Sequence, residues 1–161
     1  MEKQKLNNQL DPLDSRILNE LTENARIPFS QLANQLNVSN SLIHQRIKKL
    51  EEAGILGKAQ YRLDPRLLGY ETCAFTQIII SQSKFLRSVV HELEQVPEIV
   101  ECVNIAGRYA IMIKIFAVNN THLRDIVYEK IQTIKGIEET NTIMTFETSF
   151  MRSLKVDMSM S

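Results

Sequence analysis

Residues 10–56 read LDPLDSRILNELTENARIPFSQLANQLNVSNSLIHQRIKKLEEAGIL, and this stretch decides the first half of the fold. Asp11 is a good helix cap and Pro12 suits a first turn, so a helix opens here. Leu13, Ile17, Leu18 and Leu21 then recur at helical spacing. Asn24 to Pro28 interrupts the pattern. The reading has Ser30 cap a second, short helix that turns Leu32, Ala33 and Leu36 inward. Asn37-Val38-Ser39 is a tight turn, and Ser39 or Asn40 caps a third helix that stops at Gly54. Three short helices with a tight turn before the last describe a helix-turn-helix, winged-helix-like in its continuation.

The third helix separates into faces. Ile43, Ile47 and Leu50 fall within roughly 60° of each other at about 100° per residue and make the core stripe. Ser41, Gln45 and Lys48 lie opposite, flanked by His44 and Lys49. From Ser39 to Leu50 there are three basic residues, Arg46, Lys48 and Lys49, and no acid. Such a face suits the major groove, whose base edges show donors and acceptors that polar side chains can read. Gln45 suits adenine; Lys48 and Lys49 suit phosphates or guanine. Ser39, Asn40, Ser41, His44, Gln45, Lys48 and Lys49 are therefore the candidate DNA contacts. A merely solvated helix face is the competing reading. It loses ground because turn, cap and acid-free stretch coincide. His44 has no second ligand at metal-binding spacing, so no metal role is assigned. Beyond Gly54, residues 55–65 form an extended link or a short β-ribbon. Lys58 and Arg62 there are either phosphate contacts or plain surface charges.

The whole chain of 161 residues has 43% hydrophobic and 24% charged residues, an ordinary globular composition. Lys plus Arg and Asp plus Glu are both 19. Any DNA contact must therefore come from a local patch rather than a basic coat. Cys73 and Cys102 make no CxxC pair or metal knuckle, and both are expected as small core residues in a reducing compartment. MEKQKLNNQLDP has no apolar signal core, and no run approaches the ~18 apolar residues of a membrane span. The expectation is a cytoplasmic protein with no membrane partner and no cofactor.

The second half alternates differently. Residues 72–81 (TCAFTQIIIS) read as a buried strand and Phe85 to Gln95 as a helix with Leu86, Val89, Val90 and Leu93 on one side. Ile99 to Ile105 and Ala110 to Ala117 read as strands around an Ala106-Gly107-Arg108-Tyr109 turn. Thr121 to Ile134 reads as a helix with Leu123, Ile126, Val127 and Ile131 inward, and Glu139 to Phe150 as a last strand. The order βαββαβ is the split βαβ of ferredoxin-like folds. A weak repeat supports it: Val96-Pro97-Glu98-Ile99-Val100-Glu101 and Ile134-Lys135-Gly136-Ile137-Glu138-Glu139 follow the helix of each half, 38 residues apart. Helices cover only one face of such a sheet. Its other face carries apolar groups and calls for a partner, so oligomerisation is expected. The class is α+β, with a helix-turn-helix domain over 1–56, a β-ribbon or linker over 57–70, and a ferredoxin-like domain over 71–161.

Taken together, residues 10–56, LDPRLLGY at 63–70, AGRYAIMIKI at 106–115 and GIEETNT at 136–142 resemble the Lrp/AsnC (feast/famine) regulators. The resemblance spans Leu10 to about Leu154. It implies a DNA-binding helix-turn-helix joined to a ligand-response domain, dimers formed through the sheets and octamers built as four dimers. It also implies a small amino-acid-like effector held between dimers near the turn after the second strand. Carried over by motif, the effector residues are Asn104, Ala106, Gly107, Arg108 and Tyr109, with Thr140 and Thr142 of the last strand. Backbone N–H groups beside a glycine can hold a carboxylate, and threonine hydroxyls can complete its bonds. The family often reads Gly-x-Tyr-Asp at this turn; here Ala110 takes the acidic position. The expectation is an altered ligand choice, weaker amino-acid binding or no effector. Two other functions compete. Siroheme decarboxylases share this fold and length, but the corresponding stretch, Glu101 to Ile105, has no histidine; no catalytic residues are assigned. An architectural, low-specificity DNA organiser also fits the fold.

Overall fold

The computed structural model describes residues 10–157; the leader reading of MEKQKLNNQ lies outside the described residues. The chain divides into two compact units. One runs up to Tyr61 and takes back the chain from Phe150; the other is Arg62–Ser149.

The first unit holds α1 (Pro12–Glu23), α2 (Phe29–Leu36) and α3 (Asn40–Glu52). The Asp11 carboxylate accepts from the Leu13 and Asp14 N–H groups, each at 2.9 Å, and the Asp11 N–H donates to Asp14 Oδ2 at 3.2 Å. This reciprocal capping box starts α1 as the sequence predicts. The cap of α2 differs: the helix begins one residue before Ser30, with Pro28 at the cap position and no side-chain bond. The ring fixes φ at −60, and the Pro28 carbonyl accepts the first helical bond from the Leu32 N–H at 3.0 Å. Asn37 closes α2 in the left-handed region at φ 56, and Ser39 caps α3 through the Leu42 N–H at 3.2 Å. The core is Ile17, Leu18, Ile27, Leu32, Ala33, Leu36, Ile43, Ile47 and Leu50. Gly54, at φ 68, lets the chain reverse so that the Ile55 and Leu56 N–H groups cap the Leu50 carbonyl.

Residues 57–64 carry no strand, so of the two forms expected there, ribbon or link, the chain takes the extended link. The tail from Phe150 was expected to close the C-terminal domain. It lies instead with the first unit, where Val156 packs on the helix-turn-helix core.

The second unit is a four-stranded antiparallel sheet of order β2-β3-β1-β4. The strands are β1 (Thr72–Ile80), β2 (Ile99–Asn104), β3 (Ile111–Ala117) and β4 (Ile137–Thr145). α4 (Leu86–Glu94) and α5 (Asn120–Asp125) provide the helical layer, and α5 continues as a wider π-turn over Ile126–Ile131 rather than as one helix to Ile134. Ala74, Ile78, Ile111, Ile113 and Ile115 face Val89, Leu93, Leu123, Ile126 and Ile131 in the core. Both thiols were expected there; Cys73 is only half-buried and Cys102 is exposed on strand β2. The strands place them so: Cys73 alternates with core residues Thr72 and Ala74, and β2 has a neighbour on one side only. β4 begins two residues before the expected Glu139 and ends at Thr145, not Phe150. Its sole neighbour, β1, runs out there: Cys73 pairs with Thr145 and β1 starts at Thr72.

The 38-residue repeat is structural. Ile99 opens β2 and Ile137 opens β4, each after a helix. Gly136 sits at φ 105, and a Cβ there would stand 2.6 Å from Phe85 Cβ. Glu98, its counterpart, is 14% exposed and is held by Lys130 Nζ at 2.6 Å and His122 Nε2 at 3.4 Å.

Candidate functional site

The α3 face follows from the helical period. Ile43, Ile47 and Leu50 are buried, which obliges Ser41, His44, Gln45, Lys48 and Lys49 to point outward, and all five are exposed. Ser39 and Asn40 sit at the exposed start of the same helix. Ser39 Oγ is 3.2 Å from Ser41 Oγ, so the hydroxyls form a short polar edge there. His44 meets the Phe29 ring edge-on, centroids 4.9 Å apart at 77°, which steadies an otherwise exposed imidazole. Lys48 lies 3.8 Å from Glu52, both well exposed, a contact that leaves the ammonium largely solvated.

Arg46 departs from the simple count of basic residues. Its guanidinium turns back to α1, bonding Asp11 and, at 3.2 Å, Asp14. Asp14 is 1% exposed on its side chain. The Asp14 N–H bond, with Arg46 and the Leu13 N–H beside it, holds the Asp11 carboxyl below the usual carboxylate range against the opposing effect of burial. Arg46 thus fastens α3 to the start of α1, and the outward charge of the face comes from Lys48 and Lys49. The sequence carries a trace of this: an acid at the cap and another three residues on need a cation if buried, and Arg46 is placed on the flank of α3.

Lys58 lies exposed in the link of the first unit, and Arg62 is exposed at the beginning of the second. Arg26, which sequence reasoning passed over, stacks on the Tyr61 ring with its carbon 4.5 Å from the centroid and bonds the phenol oxygen. A cation–π pair 35 residues apart leaves no local signal.

In the second unit the predicted effector residues separate. Asn104, Ala106, Gly107 and Arg108 are exposed and Tyr109 half-buried around the β2–β3 turn, where Gly107 takes φ 126. Arg108 Nη2 reaches both oxygens of Glu139 on β4, at 2.9 and 3.1 Å, and its guanidinium carbon lies 5.4 Å from the Tyr109 centroid. Glu139 pairs with Ile79, on the face away from the helices. Thr140 and Thr142 pair with buried Ile78 and Thr76 and so face the helical side. Thr140 Oγ1 accepts from Gln132 at 2.8 Å, and the Thr142 and Thr76 hydroxyls bond each other at 2.9 Å. The Arg108–Glu139 pair and the threonines are thus on opposite faces of the sheet, while Asn104, paired with buried Ile111, lies on the threonines' face. Ala110 is half-buried; its N–H donates to the Ile78 carbonyl and its carbonyl accepts from Ile105. Among the described residues, no three His, Cys, Asp or Glu side chains gather as a metal site, and no helix is long and apolar enough to cross a membrane.

Residues 10–56 match the winged helix-turn-helix DNA-binding family, and residues 73–154 match the Lrp/AsnC ligand binding domain. The regulatory protein AsnC of Escherichia coli is 36% identical over 146 residues, 91% of this chain and 96% of that protein. That of Haemophilus influenzae is 34% identical over the same length, 91% and 97%. The solved E. coli AsnC structure superposes with a TM-score of 0.86 at 35% identity, covering 91% of this chain and 99% of that one. A Neisseria meningitidis transcriptional regulator, solved as an L-Met complex, shares the fold with a TM-score of 0.86 at 22% identity, covering 94% and 99%. This chain belongs to the Lrp/AsnC family of transcriptional regulators.

Proposed function

We propose that the protein regulates transcription by setting the exposed face of α3 into the major groove. Ser41, His44, Gln45 and Lys48 meet base edges there, and Ser39, Asn40, Lys49, Lys58 and Arg62 lie against phosphates. One observation carries this: with Arg46 turned back onto α1, every outward side chain from Ser39 to Lys49 is polar or basic, and none is acidic. A preference for particular sites is favoured over architectural binding, because the chain has no net charge to coat DNA with. The chain works in the cytoplasm as a non-catalytic homodimer that assembles to an octamer of four dimers. The half-exposed sheet face supports the dimer; it carries Phe75, Met112, Phe116 and Ile143.

The effector is a small amino acid, and the Asn104–Tyr109 turn takes the larger share in holding it. Arg108 and Glu139, paired with each other at 2.9 Å on the exposed face, are a cation and a carboxylate that a zwitterion meets by inserting between them; Ala110 supplies no charge. A bound L-Met in a relative of the same fold supports the ligand class. The hydroxyls of Thr140 and Thr142 already have partners and play the lesser part.

Binding titrations of two α3 variants test the DNA reading. Gln45→Ala costs about 1–3 kcal/mol on the preferred site and relaxes the choice at one base position. Lys49→Ala weakens preferred and random DNA alike and flattens the salt slope by about one unit. If both variants bind as the parent does, α3 is not the reading helix.

A further inference from the structure

The last described residues do not trail away. The Val156 N–H donates to Asn19 Oδ1 at 2.9 Å, Asn19 Nδ2 donates back to the Val156 carbonyl at 3.0 Å, and Ser15 Oγ donates to the same carbonyl at 2.9 Å. Both peptide groups of one tail residue are therefore read by α1. A side-chain amide that pairs with both the N–H and the C=O of one residue grips an extended backbone in a single register, as a neighbouring strand would. The Val156 side chain packs on the helix-turn-helix core, and Lys155 stands 4.0 Å from Glu23 of the same helix. Pro12, Ser15, Arg16 and Asn19 line the α1 side of a groove of about 420 Å³ beside it.

The notch adjoins the residues that hold α3. Ser15 follows Asp14 directly, and Asp14 with Asp11 holds Arg46, the neighbour of Gln45 on α3. The Ser15 N–H also donates to the Asp11 carbonyl at 3.1 Å, so hydrogen bonds alternating with short covalent steps along α1 and α3 run from the tail to the reading helix within one compact unit. Four residues, Phe146 to Ser149, separate the end of β4 from this tail. The chain therefore passes between the two units twice, at Tyr61–Arg62 and at Ser149–Phe150, and after the second passage it is held on α1 by hydrogen bonds.

We propose that the Ser15–Asn19 notch of α1 is a docking site for the chain's own C-terminal segment, centred on Val156, and that this strap sets the DNA affinity of α3. The proposal rests on α3 being the reading helix. Coupling through such a network changes an affinity by about 3- to 10-fold. The test uses the full chain with Asn19→Ala, with Val156→Pro, which deletes the tail N–H that Asn19 accepts, and with both together.

Hydrogen exchange at Val156 reads docking alone. Its amide is expected to be protected in the parent and to exchange at least tenfold faster in Asn19→Ala, with α2 and α3 amides unchanged. DNA titration then reads coupling. Each single variant is expected to bind about 3- to 10-fold more weakly, and the double variant no more weakly than either, because both remove one contact. Unprotected Val156 in the parent overturns the strap. Unchanged DNA affinity in the variants, or additive losses, overturns the coupling. A parent that binds no DNA fails the proposed function instead, so the two failures are distinct.

Discussion

Replacing Arg46 with Met keeps the apolar stem against its neighbours and removes the charge. Asp14 then stays 1% exposed with no cation at 3.2 Å. At an effective dielectric of about 20, that attraction is worth roughly 5 kcal/mol before any offset. Two effects reduce it. The guanidinium is 26% exposed and Asp11 39% exposed, so part of the field is already screened by water. Asp14 also keeps its bond from the Asp11 N–H. The expected loss is about 2–3 kcal/mol, below the ~3–5 of a fully buried pair. In a unit of this size that lowers the midpoint of thermal unfolding on the order of 10–20 °C. Calorimetry of the full chain, with Lys48→Ala as the comparison, measures it. Lys48 and Glu52 are both exposed, and their separation costs less than about 0.5 kcal/mol. The salt dependence of DNA binding should keep its slope in Arg46→Met, because this arginine is spent on α1. If the variant lost under 0.5 kcal/mol and its slope fell by about one unit, Arg46 would be a phosphate contact, and the reasoning would fail.

Three further outcomes are expected. Gly136→Ala destabilises the second unit by about 2–4 kcal/mol in urea unfolding, since its Cβ meets Phe85 at a φ of 105 that side chains resist. Burial works to raise the Glu98 pKa, but the Lys130 bond, a backbone bond and the nearby His122 outweigh it, so the net shift is downward from 4.5. A carboxylate lowered on folding contributes stability that is full above its ordinary value and lost as pH falls through the folded one. Glu98→Gln should therefore cost about 1–2 kcal/mol at pH 7 and progressively less in titrations carried below pH 4.5. Calorimetric titration with the twenty amino acids should find a binder, and Arg108→Ala should weaken it at least tenfold; an undiminished affinity would move the effector away from this turn.

The elements that face a core by simple periodicity were legible. Ile43, Ile47 and Leu50 fix which side of α3 is exposed, and the βαββαβ order follows from two apolar patterns and their repeat. Features that depend on a distant partner were not. Arg46 finds its acids 32 and 35 residues earlier, and Val156 finds Asn19 137 residues earlier. No local period encodes either. The alternation in β4 runs past Thr145, but a strand ends where its neighbour does, and Thr72 in β1 sets that limit. Thr142 reads as a free hydroxyl because Thr76, its partner, lies 66 residues away. Pro28 starts α2 where a serine was expected to do so: its ring holds φ at −60 and its carbonyl accepts the first helical bond, from the Leu32 N–H.

The most direct test of the central claim is selection of bound fragments from genomic DNA by the parent protein and by Gln45→Ala, with and without amino acids. A regulator that reads sequence through α3 should enrich a recurrent motif by about 10³-fold or more over random fragments. Gln45→Ala should lose preference at one position of that motif. Fragments recovered without a common motif, and in equal measure by both proteins, would contradict it.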